Sequence, residues 1–143
     1  MEFFVSAAAP FSAAELQQQV RIDNLPQWCA SIDKVLSQQG ERGEIYCLWG
    51  QFRIHREMIC HGVRFTLPGC PNAVQWTVTA EETEGRREVR VHLTINRERH
   101  EPDFVESIEA FLEDWRQGIE RIAARSPVSR EVPAEAECMP FYG

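Results

Sequence analysis

A chain of 143 residues with 43% hydrophobic and 26% charged side chains has the make-up of one globular domain with a single substantial core. Its formal net charge of −7, with no polybasic run to offset it, argues against nucleic acid or an anionic membrane as non-specific partners. No stretch approaches the roughly 18 apolar residues of a membrane span. The run Phe3-Phe4-Val5 lacks the basic flank of a signal peptide and is broken by Ser6 and Pro10, so a cytoplasmic protein with no membrane partner is expected.

In chain order, Glu2 to Ser6 is a candidate edge strand. Ser12 at the N-cap and Glu15 three residues on make a capping box, and Phe11 and Leu16 stand where a hydrophobic staple would join them; this predicts a first helix running to about Ile22. A second helix is expected from Asn24, with Pro26 in its first turn and Gly40 as its terminator, because Leu25, Trp28, Ile32, Val35 and Leu36 recur on one helical face.

From Glu44 to Asn96 the period changes to two. Four strands are expected, roughly Glu44–His55, Met58–Leu67, Val74–Ala80 and Val89–Asn96, joined by links too short for crossovers and therefore antiparallel. With the first turn at Arg56-Glu57, one apolar face carries the rows Leu48, Phe65, Trp76, Leu93; Tyr46, Leu67, Val74, Ile95; and Gly50, Val63, Val78, Val91. The other face is polar and carries Trp49, Arg64, Thr77 and His92 in one row, with Arg90 in the next. A large indole on a wet face implies a covering partner, or a cation–π contact with Arg64 opposite it.

Pro102 to Ala124 reads as a long amphipathic helix whose stripe of Phe104, Ile108, Phe111, Trp115, Ile119 and Ile122 is expected to pack on the row containing Phe65 and Trp76. Ser126 to Gly143 shows no periodicity and is expected to be an extended or disordered tail with an apolar tip at Met139 to Tyr142. The whole is an α+β domain over residues 1–125. An antiparallel four-stranded meander, with a candidate fifth strand at the N-terminal edge, follows two short helices and is covered on one face by the long C-terminal helix. That order resembles, in architecture alone and without a shared motif, the helix-grip proteins, which hold apolar ligands between a curved sheet and a terminal helix.

Assembled chemistry is sparse. Cys29, Cys47, Cys60, Cys70 and Cys138 lack Cys-x-x-Cys spacing, and their odd number argues for reduced thiols. His55, Cys60 and His61 resemble a chelate, but adjacent strand residues point to opposite faces, so no metal is expected. His61 is expected on the apolar face opposite Phe52, while His92 lacks a visible carboxylate partner for general-base work; His55 and His100 fall at a turn and a helix start. Cys70, in the turn Pro68–Asn72, has no neighbour to activate it. No phosphate-binding glycine loop or nucleophile elbow is present, so no cofactor and no catalytic residue is assigned.

Three functional classes follow. The first is a non-enzymatic interaction or adaptor domain that binds a protein partner, or itself as a homodimer, through Trp49, Arg64, Thr77, His92 and Arg90. The second is a binder of a small apolar ligand in a cavity between sheet and C-terminal helix, where Gly50 and Gly62 supply no side chains. An enzyme is third.

Overall fold

In the computed structural model, which describes residues 1–96 and 101–125, seven strands form one antiparallel sheet. They are β1 (Glu2–Ala7), β2 (Ile32–Gln39), β3 (Arg42–Cys47), β4 (Gly50–Ile59), β5 (Gly62–Thr66), β6 (Gln75–Thr83) and β7 (Arg86–Thr94). The order across the sheet is β1-β7-β6-β5-β4-β3-β2, so every neighbouring pair except β1 with β7 is consecutive in sequence. Helices α1 (Ala13–Gln19) and α2 (Leu25–Trp28), with a single 3-10 turn (Ile22–Asn24) between them, precede β2, and α3 (Pro102–Arg125) follows the sheet. The expected tail, its apolar tip, Cys138 and His100 lie outside the described residues.

Local chemistry accounts for the ends of these elements. Ser12 and Glu15 form the capping box of α1 in both directions, with Glu15 N donating to Ser12 Oγ at 3.0 Å and Ser12 N to Glu15 Oε1 at 3.1 Å. The β6–β7 turn places Glu84 and Gly85 at φ of 53° and 75°, the left-handed pair that a two-residue hairpin needs.

Three rows of the expected register hold on β5, β6 and β7. Phe65 pairs with Trp76 and Trp76 with Leu93, while Val63 pairs with Val78 and Val78 with Val91. Leu67, Val74 and Ile95 continue the buried face. The N-terminal edge strand is present, with Phe3 opposite Leu93 and Val5 opposite Val91. As expected, α3 lies on this inner face, burying Ile108, Phe111, Trp115 and Ile119.

The first half of the sheet departs from expectation. The meander has six strands, β2 to β7, not four, and β1 adds a seventh at its edge. The segment read as a helix to Gly40 is helical only through Trp28, and Ile32, Val35 and Leu36 belong to strand β2. Two β-bulges in β2, between Ile32 and Lys34 and between Val35 and Ser37, displace its parity, so residues three apart reach the same face and imitate a helix. The run Glu44–His55 is two strands joined by a turn at Leu48-Trp49, and the next turn is at Cys60-His61, not Arg56-Glu57. Arg56, not Leu48, therefore faces Phe65, and Tyr46 and Leu48 are 47% and 42% exposed.

Among the described residues Arg56 is the polar exception on the inner face, 8% exposed. Its Nε donates to Val20 O at 2.8 Å, one terminal nitrogen to Gln17 O and the other to Glu41 Oε2 at 2.6 Å. The guanidinium thus satisfies carbonyls at the C-terminal end of α1 and fixes that helix on the sheet. Both N-terminal helices join the same buried cluster as α3, leaving the outer face uncovered by them.

Candidate functional site

Between the inner sheet face and α3 lies a continuous group of aromatic rings. Cross-strand neighbours Phe65 and Trp76 stack at 5.4 Å between centroids. Phe111 and Trp115 are four residues apart and so project from one face of α3. Phe111 meets Trp76 edge-on at 5.0 Å, and Trp115 lies 6.3 Å from Phe65 and 6.4 Å from Trp76. All four are shut off from solvent. Within this apolar environment the indole Nε1 atoms of Trp76 and Trp115 are buried and have no acceptor among the described residues.

Toward the N-terminal end of α3 the group becomes partly exposed. Trp49, in the β3–β4 turn, lays its ring 4.8 Å from Phe111 and 6.1 Å from Phe104, and its Nε1 donates to Ser107 Oγ at 2.8 Å. Ser107 in turn donates to Phe104 O at 2.5 Å, which orients the hydroxyl for the indole. Phe52 and Cys70 are also only partly buried against the core. An open groove lined by Gln51, Phe52, Arg53, Pro68 and Gly69 runs past Phe52.

Trp49 is therefore not on the polar face opposite Arg64; the hairpin turn carries it to the helix. The remaining residues of that surface are where expected, with Arg64, Thr77 and His92 in one cross-strand row and Arg90 opposite Thr79. Arg64 pairs with Glu57 at 2.8 Å, a half-exposed ion pair worth ~0–1 kcal/mol. His92 has a carboxylate after all, since β1 brings Glu2 Oε1 to 3.1 Å from its Nε2. Arg90 stands 5.7 Å over the ring of Phe4, itself 68% exposed.

The expected glycine-made cavity is not formed as described. Gly50 opens β4 at φ +116°, just after the Leu48-Trp49 turn, and at Gly62 a Cβ would lie 1.9 Å from Val78 O, so there the missing side chain admits backbone, not a ligand. His61 is exposed in the β4–β5 turn, away from the apolar face. Cys29, Cys47 and Cys70 are free thiols, whereas Cys60 is disulfide-bonded, contrary to the expectation of reduced thiols throughout. Burial pushes the Cys29 and Cys47 thiols up, away from thiolate, and Cys29 donates to Phe111 O at 3.7 Å, a packing role. Among the described residues no three His, Cys, Asp or Glu side chains converge as metal ligands.

The residues that sequence reasoning passed over are Ser107, Trp76 and Trp115. The last two were read as core and contribute as core. Their usable signal was an indole donor set in rows with no acceptor to receive it.

No family model and no curated protein matches the chain in sequence. Solved structures match it in fold. A START superfamily protein from Mycobacterium smegmatis superposes with a TM-score of 0.62 at 14% identity, over 87% of this chain and 97% of the other. Ara h 8.0201 does so at 0.59 and 13%, over 88% and 99%. The di-domain ARO/CYC StfQ from the steffimycin biosynthetic pathway matches at 0.59 and 12%, over 87% of this chain and 46% of that one. The α+β arrangement of an antiparallel sheet with a long C-terminal helix is thus the fold this chain shares with a START superfamily protein.

Proposed function

We propose that the protein binds a small apolar molecule, without catalysis, between the inner sheet face and α3, with Trp49 closing the mouth. The observation that carries this reading is the unbroken series of rings from the partly exposed pair Trp49 and Phe104 to the buried pair Trp76 and Trp115. Apolar walls with a few placed polar groups are the usual make-up of a ligand site. The shared fold supports the same location, since helix-grip proteins hold ligands there, and StfQ, one of the similar structures, comes from a biosynthetic pathway.

Mass spectrometry of gently purified protein is expected to find a retained small molecule. Titration with anilinonaphthalene sulfonate and apolar competitors is expected to saturate at one site, with Trp49→Ala accelerating association by opening the mouth. Only the bare chain mass, together with no saturable binding by any member of the panel, would remove the reading.

A second reading, self-association through the outer face, is favoured by one observation, the exposed Phe4, which extends the row of His92, Thr77 and Arg64 and lies under Arg90 of the next row. Sedimentation at several micromolar concentrations tests it. Association that Phe4→Lys abolishes would support it, and a monomer throughout would exclude it.

A further inference from the structure

We infer that the ligand presents a neutral acceptor oxygen on a flat apolar body, and that the indole N–H groups of Trp76 and Trp115 receive that oxygen. This rests on the small-molecule reading above and narrows it to a chemical class, aromatic ketones, esters or quinones. An indole nitrogen can only donate, and buried donors in folded proteins nearly always have an acceptor. Here two of them, one from β6 and one from α3, share one ring group with no acceptor among the described residues. Their rings stand 6.4 Å apart between centroids, one on each side of the sheet–helix interface.

The surroundings select among acceptors. The rings nearest these indoles are Phe65 and Phe111, and Arg56, the buried cation of the inner face, already serves Gln17 O, Val20 O and Glu41. With no other buried cation among the described residues to pair with it, a carboxylate would be desolvated at a penalty, whereas a carbonyl would not. The stacked and edge-on geometry of the four rings suits a flat aromatic body. Because both N–H groups are closed to solvent, binding must re-pack the rings and register in these two indoles.

The test uses nitrogen-labelled full-length protein, whose four indole resonances, from Trp28, Trp49, Trp76 and Trp115, are assigned by single Trp→Phe variants. Acetylnaphthalene is titrated against isopropylnaphthalene, which has the same shape without the oxygen, and against naphthoic acid. The ketone is expected to bind about tenfold more tightly than the hydrocarbon, as two neutral hydrogen bonds allow. It should also shift the Trp76 and Trp115 indole protons downfield and leave Trp28 in place. The Trp76→Phe, Trp115→Phe double variant should erase the preference while still binding the hydrocarbon; where it fails to fold, the wild-type shifts and the single variants decide.

Equal binding of ketone and hydrocarbon, or indole protons held upfield by a ring face or a trapped water and unmoved by the ketone, would overturn the acceptor and leave the apolar site standing. Tightest binding by naphthoic acid would overturn its neutrality. If no probe binds, this inference falls, and the small-molecule reading falls with it where the purified protein also shows only its bare chain mass.

Discussion

Replacing Gly118 with alanine sets helix propensity against packing, and the structure says which prevails. In the middle of α3 the change should gain about 1 kcal/mol of intrinsic helix stability. The new Cβ, however, would lie 1.9 Å from Trp28 O, 2.6 Å from Trp28 C and 3.2 Å from Trp28 Cα. These are backbone atoms, so no rotamer change relieves the overlap and the end of α2 must retreat by more than an ångström. That movement disturbs the edge-on contact of Trp28 with Phe11 at 5.8 Å, the Ser31–Asp114 hydrogen bond at 2.5 Å and the bond from Arg121 to Gln27 O at 3.0 Å. Overpacking of this kind costs about 3 kcal/mol at the upper end of its usual range, leaving a net loss of about 2 kcal/mol. The melting temperature should fall by about 5–10 °C. Urea unfolding followed by far-ultraviolet circular dichroism measures it, with Gln117→Ala, on the exposed side of the same helix, as a control expected within about 0.5 kcal/mol of wild type. A Gly118→Ala protein as stable as wild type, or more so, would refute the claimed α2–α3 contact.

Arg56→Met leaves carbonyls at the end of α1 without their donor and should cost about 2–4 kcal/mol in the same assay, with faster amide exchange in α1; a loss below about 1 kcal/mol would contradict the anchoring role. Trp49→Ala removes a partly buried ring from Phe104 and Phe111 and should cost about 1–3 kcal/mol, while Ser107→Ala, losing only the hydrogen bond, should cost about 1 kcal/mol. Equal losses for the two would mean that the ring contacts contribute nothing. Hydrogen bonding from Arg116 holds the Glu113 carboxyl at about 2, below its ordinary 4.5. A depressed folded value gives a stabilisation fully present above pH 4.5 and lost as pH falls toward about 2. In a carbon NMR titration Arg116→Gln should move the Glu113 midpoint up toward 4.5, and an unmoved midpoint would exclude Arg116 as the cause.

The sequence was most legible where one period ran uninterrupted between clear punctuation. The capping box set the start of α1, the aromatic stripe set α3, and strict alternation set the pairing of β5, β6 and β7. It misled where apolar side chains are exposed or charged ones buried. Tyr46 and Leu48 are apolar yet face outward, so the alternation seemed to run straight through the Leu48-Trp49 turn, although Gly50 marked a break. Arg56 looked like a turn residue because an arginine is rarely enclosed, and its enclosure depends on carbonyls supplied from α1, a long-range fact. The β2 bulges changed the period itself. Of the candidate site, the outer-face row of Arg64, Thr77 and His92 was readable from parity alone. Trp49 was not, because one turn residue decides which side of the sheet it reaches, and His92 gained Glu2 only through pairing of the chain's beginning with β7.

That last pairing also governs how the sheet is completed. Six strands can zip together as successive hairpins, each closing a short segment. β1 must instead find β7 across a separation of 94 residues, the span between Met1 and Ile95, whose backbones bond at 3.1 and 3.2 Å. The entropy of closing so large a loop is lost before any contact repays it. The strand made first on the ribosome is thus the one that waits longest for its neighbour. Until it arrives, β7 presents a bare edge to any other chain, and α3 lacks the bond from Ala8 N to Glu120 Oε2 at 2.9 Å that ties it down beyond that strand.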